Sequence, residues 1–292
     1  MNGKVNGLSK VRIVTDSTAD IPVEDRERLG IEMVPLKVHF GNETYIDAVT
    51  IQSQRFYELL AESSALPTTS QPSPVDFLDM YKKILAEEPD AQIISVHLSA
   101  AMSGTYQSAV LAKSLLEEQA DITIIDSKSA SYGFGLLVVA AAEAAQAGKT
   151  KEECLELIHH NRENTGLFFL VDTLEFLQKG GRIGKAAAFL GSLLNIKPIL
   201  SIDDEGEVTS IEKARGQKKA MARIVELLKE GGYADKEVKV IIAHAHSVPA
   251  AEELSSLIKS HFQVKHLSYT SIGPVIGTHT GPGTVAVFML PV

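Results

Sequence analysis

The stretch Gln92–Ile125, QIISVHLSAAMSGTYQSAVLAKSLLEEQADITII, decides the fold class. Gln92–Leu98 is a short apolar run of the kind that forms a strand buried on both faces. Small polar residues end it, Ser103–Glu118 follows with helical character, and Asp121–Ile125 is strand-like again. A strand, a helix and a strand joined this tightly make a right-handed β-α-β unit with parallel strands.

Working outward, the alternation continues. Val11–Thr15 is apolar and stops at the turn cluster Asp16-Ser17-Thr18, where Asp16 is expected to cap the turn. Ile31–Phe40 is β-rich, with Pro35 marking a break or an edge. Ser53–Ala61 reads as a helix with Phe56, Leu59 and Leu60 on one face, and Pro67–Pro74 as a loop. Val75–Glu88 reads as a helix that turns Phe77, Leu78, Tyr81, Ile84 and Leu85 inward. Tyr132–Ala147 and Lys151–Asn164 are helices separated by Gly148.

The second half has a different grammar. Gly166–Val171 is a strand, followed by a short helix, the Gly180–Gly184 segment and a helical stretch over Ala186–Leu194. Pro198–Ile202 and Glu207–Glu212 flank Asp203-Asp204-Glu205-Gly206, a hairpin signal. Arg215–Glu230 is a helix, Val238–Ala243 a strand, Ala250–His261 a helix, and Val264–Tyr269 and Thr284–Leu290 are strands. A hairpin among β-α units implies a mixed sheet. The expected architecture is α/β with two domains: a mainly parallel, Rossmann-like sheet with helices over 10–165, and a mixed sheet with helices over 166–292. Residues 1–9 read as a flexible extension without the apolar core of a signal peptide.

Composition narrows the function. The chain has 292 residues, 45% hydrophobic and 22% charged, which is ordinary globular composition. A net charge of −9 argues against nucleic acid as the main ligand. The single cysteine, Cys154, excludes an internal disulfide framework and a cysteine-cluster metal site. Glu143 ends the longest apolar candidate, which starts near Leu136, well short of a membrane span. A cytoplasmic location is expected.

The common catalytic and nucleotide motifs fail on inspection. Around Gly184-Lys185, Lys179 stands where a P-loop needs its first glycine, and Ala186 where it needs a hydroxyl for Mg²⁺. Val138 takes the third glycine position of the pattern opened by Gly133 and Gly135. Ser103 follows Ala101-Met102, so the G-x-S-x-G elbow is missing. His244 and His246 lack a nearby carboxylate or cysteine and read as sheet-end histidines, so no metal site is expected.

Three polar segments remain: Thr68–Pro74, Ser99–Thr105 and Gly277–Gly283. Two of them adjoin expected helix starts, where unpaired N–H groups attract anions, and open α/β sheets bind ligands beyond their strand ends. Hydroxyls of Thr69, Ser70 and Ser103 could add donors to one carboxylate or phosphate. Each segment also has a plain reading, because Ser and Thr cap helices and Gly-Pro-Gly forms loops.

Together with further blocks, these segments resemble the DegV family. The matching blocks are Val14–Pro22, Pro67–Ser73, Leu98–Ser108, Asp126–Lys128, Leu174–Ile183, Lys197–Ile199 and Gly277–Gly283, in the family's order. One departure is Ala286, where family members commonly carry glycine. The resemblance implies a long-chain fatty acid, such as palmitate, held in a tunnel between two domains, with no cofactor. It further implies the role of the binding subunit of a bacterial fatty acid kinase, which presents the carboxylate to a separate ATP-binding subunit for acyl phosphate formation. The carboxylate contacts it implies are Thr69, Ser70, Ser103, Gly104 and His279, with Arg182 and Arg215 at the kinase-docking face. Membrane contact would be at most transient, for lipid exchange, and phospholipid metabolism would be the setting.

Burial of roughly 14 methylenes at about 0.8 kcal/mol each yields about 11 kcal/mol before ordering costs, so the polar groups need only fix the head. The competing expectation is a serine hydrolase or acyltransferase with Ser103 as nucleophile and His279 as base. It requires a Ser103–His279 hydrogen bond and an orienting acid.

Overall fold

The computed structural model describes residues 11–116, 120–191 and 195–292. Residues 1–9, and the ends of the expected helices over 103–118 and 186–194, lie outside the described residues.

The first half runs β1 (Val11–Asp16), α1 (Val23–Leu29), β2 (Glu32–Val34), β3 (Lys37–Phe40), β4 (Glu43–Ile46), α2 (Ser53–Glu62) and β5 (Thr68–Ser70). It continues with α3 (Pro74–Glu87), β6 (Gln92–His97), α4 (Thr105–Ser114), β7 (Ile122–Asp126), α5 (Tyr132–Gln146) and α6 (Lys151–Asn164). β2, β1, β6 and β7 form a sheet in that order, and every neighbouring pair is parallel. The β-α-β reading of Gln92–Ile125 is therefore what the chain adopts. Sequence determines the helix starts. Ser73 and Asp76 form a reciprocal capping box around Pro74, and Thr150 and Glu153 form another before α6. α5 is apolar on nearly every side and is accordingly buried from Tyr132 to Val139.

The second half runs β8 (Gly166–Leu170), α7 (Glu175–Lys179), β9 (Ile196–Ile202), β10 (Val208–Arg215), α8 (Gln217–Leu228), β11 (Glu237–His244), α9 (Val248–His261), β12 (Gln263–Ser271), α10 (Pro274–Thr280) and β13 (Val285–Pro291). Its sheet has the order β10-β9-β8-β13-β11-β12. Only β11 and β12 are parallel, so the sheet is mixed, as the hairpin signal required. Residues 184–189 form a 3-10 turn in place of a full helix.

Three elements differ from the sequence reading. The expected loop over Pro67–Pro74 contains β5, which pairs with β3, while β3 and β4 close a hairpin, giving a small antiparallel sheet β4-β3-β5. Thr68-Thr69-Ser70 has no apolar alternation, so its strand character comes from a distant partner. Likewise Gly277–Thr280 belongs to α10, not to a loop. α1, short and mostly charged, carries little periodic signal.

The halves are tied at several points. Thr270 Oγ1 donates to Asp20 O at 2.7 Å, Tyr57 Oη to Ile272 O at 3.1 Å, and Ser99 Oγ to Gly206 O at 2.8 Å. Asp16 does cap the turn after β1: it accepts from Thr18 N at 3.0 Å and from Leu98 N at 3.1 Å.

Candidate lipid-binding site

A cavity of about 320 Å³ lies where the two halves meet. Its walls come from both: Leu36 and Leu98 on one side, and Phe169, Ile202, Val208 and Phe288 on the other. The strands place these side chains by alternation. Phe169 and Ala286 face each other across β8 and β13, and Phe288 lies two residues further on the same face. Most of the surface is therefore aliphatic or aromatic.

One end is polar. β5 brings Thr69 and Ser70, the turn before α4 brings Ser103, and the last turn of α10 brings His279. Thr69 Oγ1 and His279 Nε2 are 2.9 Å apart. Ser103 Oγ accepts from Thr105 N at 3.3 Å and lies 2.9 Å from Thr105 Oγ1. The N-terminal turn of α4 thus sits next to a cavity-lining hydroxyl and adds partial positive charge there. Ser70 Oγ is engaged by His39 Nε2 at 2.8 Å.

The imidazole is neutral at physiological pH. Burial, with the Arg182 charge acting in the same direction, pushes His279 down to about 4. Its Nδ1 is buried without a hydrogen-bond partner among the described residues, and Gly180 passes so close that a Cβ there would lie 2.3 Å from that nitrogen. Any side chain at 180 would displace the ring. Among the described residues, Arg182 is the one Lys, Arg, Asp or Glu lining the cavity; its Nε donates to Met102 O at 3.0 Å and its Nη1 to Gly180 O at 2.7 Å. These bonds hold an exposed guanidinium at the polar rim.

Of the sequence-predicted residues, Thr69, Ser70, Ser103, His279 and Arg182 all line the cavity. Gly104 does not. It precedes α4, and a Cβ on it would lie 2.4 Å from the Gln71 carboxamide, so it makes room for Gln71 to reach the cavity. Gln71 lies within a quoted sequence block yet carried no separate signal. Arg215 is exposed at the end of β10, away from the lining. The hydrolase arrangement does not form: Ser103 bonds Thr105, His279 bonds Thr69, and no acid orients the imidazole among the described residues.

A family model described as "Uncharacterised protein, DegV family" matches residues 10–292. The chain belongs to the DegV family. Protein DegV of Bacillus subtilis (strain 168) is 36% identical over 278 residues, spanning 95% of this chain and 98% of that protein. The DegV-family structure from Thermus thermophilus described as "Fatty Acid Binding of a DegV family Protein" superposes with a TM-score of 0.90 at 37% identity, covering 97% of this chain and 100% of that one. A stearic acid-binding protein from Eubacterium ventriosum superposes with a TM-score of 0.87 at 26% identity, covering 96% and 98%. The parallel sheet, the mixed sheet and their helices are the DegV architecture. Among the described residues, no helix is long and apolar enough to cross a membrane.

Proposed function

We propose that this DegV-family chain binds one long-chain fatty acid, of the palmitate class, in the cavity between a domain over 10–165 and a domain over 166–292. The observation that carries this reading is the polarity gradient of the cavity, apolar along its length and closed by neutral donors at one end. Thr69, Ser103 and a neutral His279 offer hydrogen bonds without a buried opposing charge, so the bound carboxylate keeps its nucleophilic oxygen. The acyl chain supplies the affinity through burial. Relatives described as fatty-acid binders support the same reading.

The chain acts as a presenting subunit. A separate ATP-binding kinase subunit docks over the polar rim, with Arg182 and Arg215 as contacts, and phosphorylates the carboxylate. Arg182 suits that role because it is exposed at the rim and fixed by two backbone carbonyls.

Mass spectrometry of lipid extracted from protein purified without added lipid tests the binding. Near-stoichiometric fatty acid is expected; a nucleotide or metal with no acyl chain would refute it. Acyl phosphate yield with a kinase subunit tests presentation: Arg182→Glu and Arg215→Glu should lower yield while leaving lipid affinity intact. ATP consumption by this chain alone in the presence of fatty acid would overturn the presenting role.

A further inference from the structure

A second cavity, of about 420 Å³, lies between the turn after β1, α1, residues 47–54 and the end of β12. Asp20 separates it from the apolar cavity: its Oδ2 accepts from Ser131 Oγ at 2.5 Å, and Ser131 lines the apolar side. Its Oδ1 accepts from Gly273 N at 3.0 Å, so Asp20 is a satisfied wall.

Asp47 is different. It is 1% exposed, lines this cavity, and neither of its carboxylate oxygens has a hydrogen-bond partner among the described residues. The Ser17 hydroxyl and the Ala48 amide favour its charged form from nearby, but outside the geometry of a full hydrogen bond. Buried polar groups are almost always hydrogen-bonded, so Asp47 calls for a partner that the described residues do not supply. Across the same cavity stands Arg26, half-buried, which makes no side-chain hydrogen bond or ion pair among the described residues.

Asp16 and Asp20 line the cavity too, but both accept hydrogen bonds from the chain, so among the described lining residues Asp47 and Arg26 are the acid and the base left without one. A simple cation would satisfy Asp47 but meet Arg26 as a like charge, and a simple anion would do the reverse. A ligand bearing both charges satisfies both and enters with no net charge to bury. We propose that this cavity binds a small zwitterion of the α-amino-acid class, its ammonium group on Asp47 and its carboxylate on the Arg26 guanidinium. The volume is that of a small-molecule site. Neither group lines the apolar cavity, so the two sites stand or fall separately.

Calorimetric titration of the full chain at neutral pH with each proteinogenic L-amino acid, with methylamine and acetate as half-ligand controls, tests this. At least one amino acid should bind with a Kd below about 10 mM, and more tightly than either half-ligand. Asp47→Asn and Arg26→Gln should each weaken it about tenfold or more, with the far-ultraviolet circular dichroism spectrum unchanged. Should Asp47→Asn fail to fold, Arg26→Gln, at a half-exposed position, decides alone. Binding absent up to about 10 mM, or undiminished in a folded variant, overturns the proposal. Methylamine binding as tightly as the best amino acid overturns it too, because Arg26 would then have no role.

Discussion

The apolar cavity and the polar cavity share a wall at Asp20 and Ser131, yet each buries an ionisable group whose pKa burial moves in the opposite direction. In the apolar cavity, burial holds His279 neutral by lowering its pKa to about 4. In the polar cavity, burial raises Asp47 to about 7, with the charge of Asp16 acting in the same direction. Desolvation penalises the charged form in both cases. A histidine sheds its proton and becomes a neutral hydrogen-bonding group, which is what a carboxylate head can use. An aspartate must take up a proton or find a cationic partner. The same physics thus prepares one cavity for an anion on a greasy tail and the other for a ligand with its own charges.

The largest effect should come from filling the apolar cavity. Ala130 lines it and is only partly buried. Ala130→Phe should displace about five methylenes of a bound chain, about 4 kcal/mol, and weaken fatty-acid binding about a thousandfold. Displacement of a fluorescent fatty acid measures this; an unchanged affinity would mean that the chain lies elsewhere.

The contrast between His279 and Asp47 can be tested next through stability against pH. For His279, the ordinary value of 6.5 exceeds the folded value of about 4, so between them the unfolded chain binds more protons. Its contribution to stability rises with pH across that window and is lost as pH falls, by up to about 3 kcal/mol. For Asp47, the folded value of about 7 exceeds the ordinary 3.8, so the folded chain binds more protons and the contribution falls as pH rises from about 4 to about 7. The two slopes oppose each other over most of the same range. Relative to the wild type, His279→Gln should make stability fall more steeply with rising pH, and Asp47→Asn should shift the slope in the rising direction, as read by urea melts at several pH values. Parallel profiles for the two variants would break the comparison.

Smaller effects should separate the hydroxyls. Thr69→Val removes a head-group donor and should weaken fatty-acid binding by about 1.5–3 kcal/mol with little loss of stability. Ser103→Ala should weaken binding similarly and also cost about 1 kcal/mol of stability, because the hydroxyl accepts from the first amide of α4. If both variants bind like the wild type, these hydroxyls serve only local structure.

Much was legible in the chain because it rests on local chemistry. The apolar runs of β1, β6 and β7 and the hairpin signal at 203–206 each specify their element within a few residues, and the parallel and mixed sheets follow from them. The order of the family blocks singled out Thr69, Ser103 and His279. β5 was illegible because a three-residue polar strand exists only when β3 lies beside it. Gly104 reads as a ligand contact in sequence, whereas the fold leaves it outside the cavity lining with Gln71 packed where its Cβ would be. Asp47 gave no signal at all, since neither its burial nor its lack of a partner is a property of neighbouring residues. Local sequence specifies the elements, their alternation and the inventory of polar groups. Only the tertiary structure decided which of those groups meet, which stay charged and which are left unpaired, because solvation and pairing depend on contacts between residues far apart along the chain.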